Sequence, residues 1–174
     1  KSLLNQTYKN FELIVVDNGS RDNSIVAISK LKTQISNLKI IENKENLGFS
    51  KGNNVAVPGA KGRYLLFLNP DTLVYSKTLS EMVSFMDKNP QVGAATCKLK
   101  LPGSELDDAA HRGFPTPWNA FCHFFGAESL FPRSKLFSGY TLGYLSRDTT
   151  HEVDAISGAF SLVRRRAGDE VGWW

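Results

Sequence analysis

Two carboxylates in the sequence each follow a short apolar run, at positions where they could bind a metal ion and a phosphate group. Asp17 ends "FELIVVD", and Asp71 follows "LLFLNP". Mg²⁺ and Mn²⁺ prefer oxygen ligands, and one or two protein carboxylates suffice where a diphosphate supplies the others. Pro70, which lacks a backbone N–H, favours the end of a strand just before Asp71. The two runs therefore predict buried strands that deliver Asp17 and Asp71 to one crevice.

The elements that would position these carboxylates alternate between strands and helices. Short β-branched and apolar runs predict strands at 11–17, 38–42, 64–68 and 92–99. Helices are predicted after a cap at Asp22 or Asn23, after the glycine-rich turn "NLGFSKG", and over 76–87. This alternation is typical of an α/β fold with a Rossmann-like, mostly parallel sheet and helices on both faces. Ligands of such sheets bind beyond the carboxyl ends of the strands.

Composition excludes several classes of protein. The chain has 174 residues, 41% of them hydrophobic, which suits one domain with a real core. Its formal charge of +4 comes mostly from scattered lysines and arginines and does not favour a nucleic-acid partner. Cys97 and Cys122 lie far apart and lack metal-ligand spacing, so both are expected to be free thiols in a cytoplasmic protein. No apolar run approaches the roughly 20 residues that a membrane-spanning helix needs.

Four segments along the chain together resemble the motifs of a known family. They read "SLLNQTYKNFELIVVDNGSRDNS", "NKENLGFSKGNNVA", "YLLFLNPDT" and "VDAISGAFSLVRR". In this order they resemble the successive motifs of family 2 glycosyltransferases of the GT-A fold, particularly the bacterial rhamnosyltransferase-like branch. The resemblance implies that residues 1–174 form a single GT-A domain, truncated at both ends. It also implies transfer of a sugar from a nucleotide-diphosphate donor with inversion at the anomeric carbon.

The resemblance assigns roles to individual residues. Nucleotide contacts are implied for Asp17, Asn18, Ser20, Asn46, Gly48, Asn54 and Asn69. Asp71 matches the metal-binding acidic motif and would bind Mg²⁺ or Mn²⁺, while Gly158 and Ala159 would leave room for the acceptor. This sequence has Asn69 where the first carboxylate of the acidic motif often stands. Asp71 is therefore expected to be the principal protein ligand, with Asn69 bonding to the ribose or to a metal-bound water.

Each residue also has a simpler interpretation when taken alone. An aspartate after a strand often caps a helix, and Gly48 and Gly52 suit tight turns. A lone surface histidine such as His151 usually has no ligand role. The order of all four motifs favours the functional interpretation of the two aspartates.

The resemblance also raises expectations about what lies outside the sequence. It places the catalytic base in an acidic motif downstream of Trp174, with Asp154 as the fallback and Asp169 and Glu170 on an exposed helical turn. It also places a strand before Lys1, between the strands at 11–17 and 64–68. A chain of residues 1–174 is then expected to bind donor without transferring sugar, and to form oligomers through unpaired strand edges.

The expected substrates are a dTDP- or UDP-linked sugar such as rhamnose and a saccharide or lipid-linked acceptor for surface polysaccharide. The segment 112–144 is rich in aromatic residues. One interpretation, which we favour from sequence, is a partly buried segment that covers one side of the sheet. The other is a peripheral surface that contacts the inner face of the cytoplasmic membrane.

The sequence argues against two of three other functions. An aspartyl phosphatase would place its nucleophile at Asn69, and an amide cannot form an acyl phosphate. A dinucleotide-dependent oxidoreductase needs a glycine-rich fingerprint, whereas "VVDNGSRDNS" has a single glycine. A non-catalytic module that binds nucleotide sugars would keep Asp17 and Asp71 but lack a base, and remains an alternative.

Overall fold

The computed structural model describes residues 2–33, 35, 37–103, 106–107 and 110–174. Two units make up the chain: residues 1–94 with 162–174, and residues 95–161. The strands are β1 (Leu13–Asp17), β2 (Leu38–Glu42), β3 (Tyr64–Leu68), β4 (Ala94–Ala95) and β5 (Phe160–Arg164). The α-helices are α1 (Ser24–Ser29), α2 (Gly48–Asn54), α3 (Thr78–Lys88), α4 (Pro117–Phe124), α5 (Ala127–Leu130) and α6 (Arg165–Val171).

The strands form two sheets. β1 and β2 pair in parallel, with Leu13 opposite Leu38 and Asp17 opposite Glu42. The second sheet has the order β3-β5-β4. In the described part of the chain, β1 pairs with β2 alone and β3 with β5 alone.

The predicted strands at 38–42 and 64–68 are confirmed at both ends, and the first strand begins two residues later than predicted, at Leu13. The strand predicted over 92–99 is wrong, since β4 contains only Ala94 and Ala95. The Thr96 hydroxyl donates to the Phe160 carbonyl at 2.8 Å, so a side chain takes the place of a ladder hydrogen bond directly after β4.

The helices differ from prediction mainly at their ends. The helix predicted over 76–87 is observed as α3, which begins at Thr78 and ends at Lys88. The helix predicted after Asp22 or Asn23 begins as the short helix α1 and continues as a 3₁₀ helix over Lys30–Thr33. Of the two candidate caps, Asp22 accepts a hydrogen bond from the Ser24 N–H at 2.9 Å, whereas Asn23 makes no side-chain cap bond.

A small apolar core supports β3 in the first unit. Val57, Leu65 and Phe67 are buried together, and Val163 and Trp173 pack against them. Alternate burial along β3 follows the two-residue period of a strand. This core fixes the end of β3, and therefore the position at which the Asn69–Thr72 segment leaves it.

Glu12 connects the beginnings of β1, β2 and β3. Its carboxylate accepts hydrogen bonds from Lys39 Nζ at 2.8 Å and from the Lys61 N–H. The bond from the Lys39 ammonium lowers the pKa of Glu12 below its ordinary value. Because one carboxylate serves both contacts, the starts of the two sheets are held together at this edge.

In the second unit, Cys122 and Phe160 are buried. Cys97 and Cys122 are both free, as predicted. Burial raises the pKa of the Cys97 thiol to about 11, so this thiol stays protonated at neutral pH. Over the described residues, no helix combines the length and the apolar character needed to cross a membrane.

Gln6 holds the amino-terminal segment to the first unit. Its side chain is 1% exposed, and Nε2 donates to the carbonyls of Val74 at 3.1 Å and Tyr75 at 2.9 Å. Its Oε1 accepts from the Leu79 N–H at 3.3 Å. The amide thus joins the 3₁₀ helix Ser2–Asn5 to the start of α3.

We expect Gln6→Leu to lower the free energy of unfolding by about 2–3 kcal/mol, because it leaves buried carbonyl groups without a donor. Urea denaturation followed by circular dichroism measures this change. Thr7→Val is the matched control, since Thr7 also bonds across to Ser76 but is exposed, and should change stability by less than about 0.5 kcal/mol. Equal effects of the two substitutions would contradict the role given to Gln6.

Candidate functional site

The loop after β1 begins with the buried Asp17. Its side chain is 6% exposed, and Oδ2 accepts a hydrogen bond from the Ser20 N–H at 3.0 Å. Its backbone carbonyl accepts from the Asn43 N–H at 2.9 Å. Asp17 therefore shapes its own loop and ties it to the end of β2.

Asn18 joins the loop after β1 to the loop after β2. Its Nδ2 donates to Asn46 Oδ1 at 2.9 Å and to the Gly48 carbonyl at 3.1 Å. Its Oδ1 accepts from Asn43 Nδ2 at 3.1 Å and from the Leu47 N–H at 3.0 Å. These four bonds use both donors and both acceptor positions of the amide. In the structure described, Asn18 positions the neighbouring loop.

Two glycines allow these loops to approach each other. Gly19 has φ +81°, and a Cβ there would lie 2.8 Å from the Glu45 carbonyl carbon. A Cβ at Gly52 would lie 3.0 Å from Asn18 Nδ2. Sequence reasoning did not single out Gly19, although the Asn-Gly pair in "DNGS" is a signal for a left-handed turn residue.

The remaining predicted nucleotide residues of this region lie around α2. Asn46 Oδ1 accepts from the Gly48 N–H at 2.8 Å, and Gly48 has φ +76° at the start of the helix. Asn54, at the end of the helix, donates from Nδ2 to the Trp174 carbonyl at 3.0 Å. The Trp174 ring also meets Phe49 edge to face, with ring centroids 5.5 Å apart. Asn54 is thus engaged by the segment that follows α6.

Asn69 and Asp71 lie in a tight turn after β3. The Thr72 N–H donates to the Asn69 carbonyl at 3.1 Å, and Pro70 and Asp71 form the two central positions. Asp71 is exposed, and within the described residues its carboxylate has neither a hydrogen bond nor an ion pair. The predicted strand end and the outward placement of Asp71 are both observed. Asp17, by contrast, turns into its own loop.

The chemistry of the turn fits a hard divalent cation. The Asn69 amide and the Asp71 carboxylate are oxygen donors, and neither side chain has an internal partner among the described residues. No cluster of three or more histidine, cysteine or acidic side chains suited to a metal occurs in those residues. A cation held here would therefore take most of its ligands from a bound diphosphate and from water.

The second unit contains the other predicted site residues. Gly158 and Ala159 form the turn before β5, where the Ala159 N–H donates to Ser157 Oγ at 3.3 Å. Asp154 is exposed, and its Oδ2 accepts from the Phe114 N–H at 3.1 Å. Asp154 thus anchors the start of the aromatic segment, with one carboxylate oxygen already used.

The sequence indicated that His151 is an isolated surface residue, and the structure shows that it is not. Its Nε2 lies 2.6 Å from Nε2 of His111. The Nδ1 atoms of the two rings lie within hydrogen-bond distance of the carbonyls of Thr149 and Thr141. Asp169 and Glu170 are exposed on α6, as predicted, and bond to Trp173 and Arg166.

A cavity of about 650 Å³ lies at the amino-terminal end of β3, beside Arg63, Tyr64 and Arg164. The arginines there already bond to protein groups: Arg63 to Asp87, and Arg164 to the Val92 carbonyl. Because β3 runs from Tyr64 to Leu68, this cavity is separate from the turn that contains Asp71.

A comparison with family models decides the class of protein. The model for glycosyl transferase family 2 matches residues 1–171. The chain belongs to glycosyl transferase family 2. Members of this class adopt the fold seen here, and the predicted GT-A architecture is confirmed.

Relatives within the family are known from several bacteria. An uncharacterized glycosyltransferase of Haemophilus influenzae is 30% identical over 100 residues, which is 58% of this chain and 31% of the relative. The Escherichia coli protein WfaP, a UDP-Glc:alpha-D-GlcNAc-diphosphoundecaprenol beta-1,3-glucosyltransferase, is 37% identical over 87 residues, covering 50% of this chain and 34% of the relative. Both aligned stretches span about a third of the relative's length.

Solved structures give the same fold. S. aureus TarS 1-349 in complex with UDP matches with a TM-score of 0.53 and 29% identity, over 68% of this chain and 33% of that one. The mannosyltransferase PcManGT from Pyrobaculum calidifontis, in complex with GDP-Man and Mn2+, matches with a TM-score of 0.65 over 99% of this chain and 41% of that one. At 18% identity, the second match concerns the fold alone.

Proposed function

We propose that this protein transfers a sugar from a nucleotide-diphosphate donor to a saccharide or lipid-linked acceptor, with inversion at the anomeric carbon. The observation that carries the proposal is the Asn69–Thr72 turn, which ends β3 with an exposed carboxylate that no group in the described part of the chain engages. Family membership supports the class of reaction. The named glucosyltransferase relative, with its diphosphoundecaprenol substrate, supports a lipid-linked acceptor. A place at the inner face of the cytoplasmic membrane is part of the same proposal.

In this proposal, Asp71 holds Mg²⁺ or Mn²⁺, and Asn69 lies beside it to bond the ribose or a metal-bound water. The bound cation would neutralise the charge that develops on the departing nucleoside diphosphate. The loops joined by Asn18 supply the nucleoside contacts, with Asp17, Ser20, Asn46, Gly48 and Asn54 as the remaining candidates.

Gly158 and Ala159 are proposed to leave room for the acceptor, because both residues are small and form a turn at the start of β5. Inversion needs a base on the face opposite the departing diphosphate. We propose an acidic residue beyond Trp174 for this role, with Asp154 as the fallback. Asp154 Oδ1 is the oxygen available for it, since Oδ2 accepts from Phe114.

The proposed donor is a dTDP- or UDP-linked sugar, with rhamnose suggested by the motif resemblance. The relatives and structural neighbours are named with other donors or nucleotides: UDP-Glc for WfaP, and UDP in the TarS structure. A donor panel should therefore contain both bases and several sugars.

A thermal-shift screen tests the proposal. The panel contains UDP, dTDP, GDP, UDP-Glc and dTDP-rhamnose, each with Mn²⁺ and with EDTA. A ligand at a hundred times its Kd adds about 2.7 kcal/mol to the native state, which raises the melting temperature by roughly 5–10 °C in a chain of this size. We expect such a shift for uridine or thymidine diphosphates with Mn²⁺ and a smaller shift with EDTA. No shift with any diphosphate at millimolar concentration would overturn the proposal.

A further inference from the structure

Large apolar side chains are exposed in unusual number in the second unit. Sixteen large apolar side chains are exposed among the described residues, and eight of them lie between residues 114 and 136. They are Phe114, Trp118, Phe121, Phe124, Phe125, Leu130, Phe131 and Leu136. Large contiguous apolar surface on a protein usually marks an interaction site. The partly buried segment favoured from sequence fits Cys122 and Phe137, which are buried and half-buried, whereas these eight side chains are exposed.

Five aromatic rings connect into one continuous surface, which we call the aromatic face: Trp118, Phe121, Phe125, Phe131 and Phe137. Phe125 stacks on Phe121 with ring centroids 4.6 Å apart, and Phe121 stacks on Trp118 at 5.8 Å. Trp118 and Phe131 both contact Phe137, at 6.2 and 5.1 Å. The rings therefore support one another and form a patch instead of scattered exposed residues.

Helix α4 turns its aromatic stripe outward. Trp118, Phe121 and Phe125 are spaced three and four residues apart and share one side of the helix and its end. The buried side is formed by the smaller Cys122, which is fully inaccessible. Trp118 donates from Nε1 to the Leu136 carbonyl at 2.8 Å, so the polar group of the indole is satisfied while its ring faces outward.

The segment that carries the aromatic face is mostly positive in its own sequence, although the Asp154 carboxylate accepts from the Phe114 N–H at its start. Residues 112–140 contain Arg112, Arg133 and Lys135 but a single acidic residue, Glu128. Glu128 lies 3.1 Å from Nδ1 of His123, which offsets its charge when that ring is protonated. Arg133 and Lys135 are exposed and make no salt bridge within the described part of the chain.

We propose that the aromatic face docks on an anionic lipid bilayer. Aromatic side chains settle at the boundary between headgroups and acyl chains, and nearby basic residues attract anionic headgroups. A second copy of the chain fits this surface less well, because two faces that both carry Arg133 and Lys135 would repel each other. Docking would bring the second unit to lipid-linked acceptors, a consequence that rests on the proposed function.

Vesicle co-sedimentation tests the docking. The chain is mixed with vesicles of phosphatidylcholine alone and with vesicles that contain 30% phosphatidylglycerol, at about 0.05 and 0.5 M salt. We expect binding to the anionic vesicles, weaker binding at high salt, and little binding to the neutral vesicles. Arg133→Gln with Lys135→Gln should lower the partition coefficient by about fivefold for each residue.

The apolar contribution is tested by one variant, which we call the aromatic variant. It combines Phe125→Ser and Phe131→Ser in the aromatic face with Phe124→Ser beside it, and should reduce binding at least tenfold. The matched control combines Val26→Ser, Tyr75→Ser and Val171→Ser, which remove equally exposed apolar side chains from the first unit. Undiminished binding by the aromatic variant would overturn the proposal. So would a concentration-dependent dimer, seen by light scattering, that the same variant abolishes without any vesicle binding by the parent.

The nucleotide thermal shift separates this proposal from the proposed function. The aromatic variant should keep the melting-temperature shift with UDP or dTDP, which also confirms that it is folded. Loss of vesicle binding with an intact nucleotide response supports docking. Vesicle binding by a parent chain that responds to no nucleotide would leave the docking surface in place and overturn the transferase assignment alone.

Discussion

Replacing Asp71 with asparagine should weaken Mn²⁺-dependent binding of UDP or dTDP by roughly a hundredfold, because losing one partner of a close charge pair costs about 2–5 kcal/mol. The substitution keeps the size of the side chain and the turn from Asn69 to Thr72. Asp71 is exposed and has no internal hydrogen bond among the described residues, so the free energy of unfolding should change by less than about 0.5 kcal/mol. The effect on binding is thus separated from any effect on folding.

Isothermal calorimetry with and without Mn²⁺ measures this effect. The parent chain should lose affinity when EDTA replaces the metal, whereas Asp71→Asn should bind weakly in both conditions. Glu81→Gln is the control, because it removes one exposed carboxylate from α3 in the same unit. If Asp71→Asn bound nucleotide as tightly as the parent in saturating Mn²⁺, the metal assignment would fail.

The elements around Asp71 were predictable because local patterns determine them. The runs at 38–42 and 64–68 are short, apolar and bounded by turn residues, and their strands were predicted with the observed ends. Pro70 signalled the end of β3 through its missing N–H. The family resemblance then supplied the role proposed for Asp71, which spacing alone does not give.

Other features depend on contacts between distant residues and were not predictable. The strand predicted over 92–99 fails after Ala95, where the Thr96 hydroxyl bonds to Phe160, 64 residues later in the sequence. The buried amide of Gln6 reaches carbonyl groups of Val74 and Tyr75, which no local pattern relates to it. The outward stripe of α4 also reverses the usual rule that the apolar side of a helix is buried.

The contacts of Asn18, at the candidate site itself, were also not predictable from local sequence. Sequence resemblance implied a nucleotide contact, and the structure adds four hydrogen bonds that join two loops. Gly19 allows those loops to approach closely because it has no side chain. The local sequence signals a turn there but does not reveal that Glu45 lies against it.

Gly19→Ala should therefore lower the free energy of unfolding by about 2–5 kcal/mol. A left-handed backbone costs an alanine roughly 1–2 kcal/mol, and overpacking against fixed neighbours costs typically another 1–3 kcal/mol. The neighbours here are the Glu45 carbonyl carbon at 2.8 Å and the Asn46 N at 3.0 Å, both backbone atoms that cannot rotate away. Relief of the contact would move the Glu45–Asn46 segment and lengthen the hydrogen bond from Asn18 to Asn46.

Gly48→Ala is the matched control for this prediction. Gly48 has a similar φ of +76°, but a Cβ there would meet no atom within 4 Å. Only the cost of the left-handed backbone remains, so we expect the free energy of unfolding to fall by about 1–2 kcal/mol. Urea denaturation of the three proteins measures both values. Equal losses for Gly19→Ala and Gly48→Ala would mean that the two loops are not in the close contact described, and that Asn18 does not hold them together.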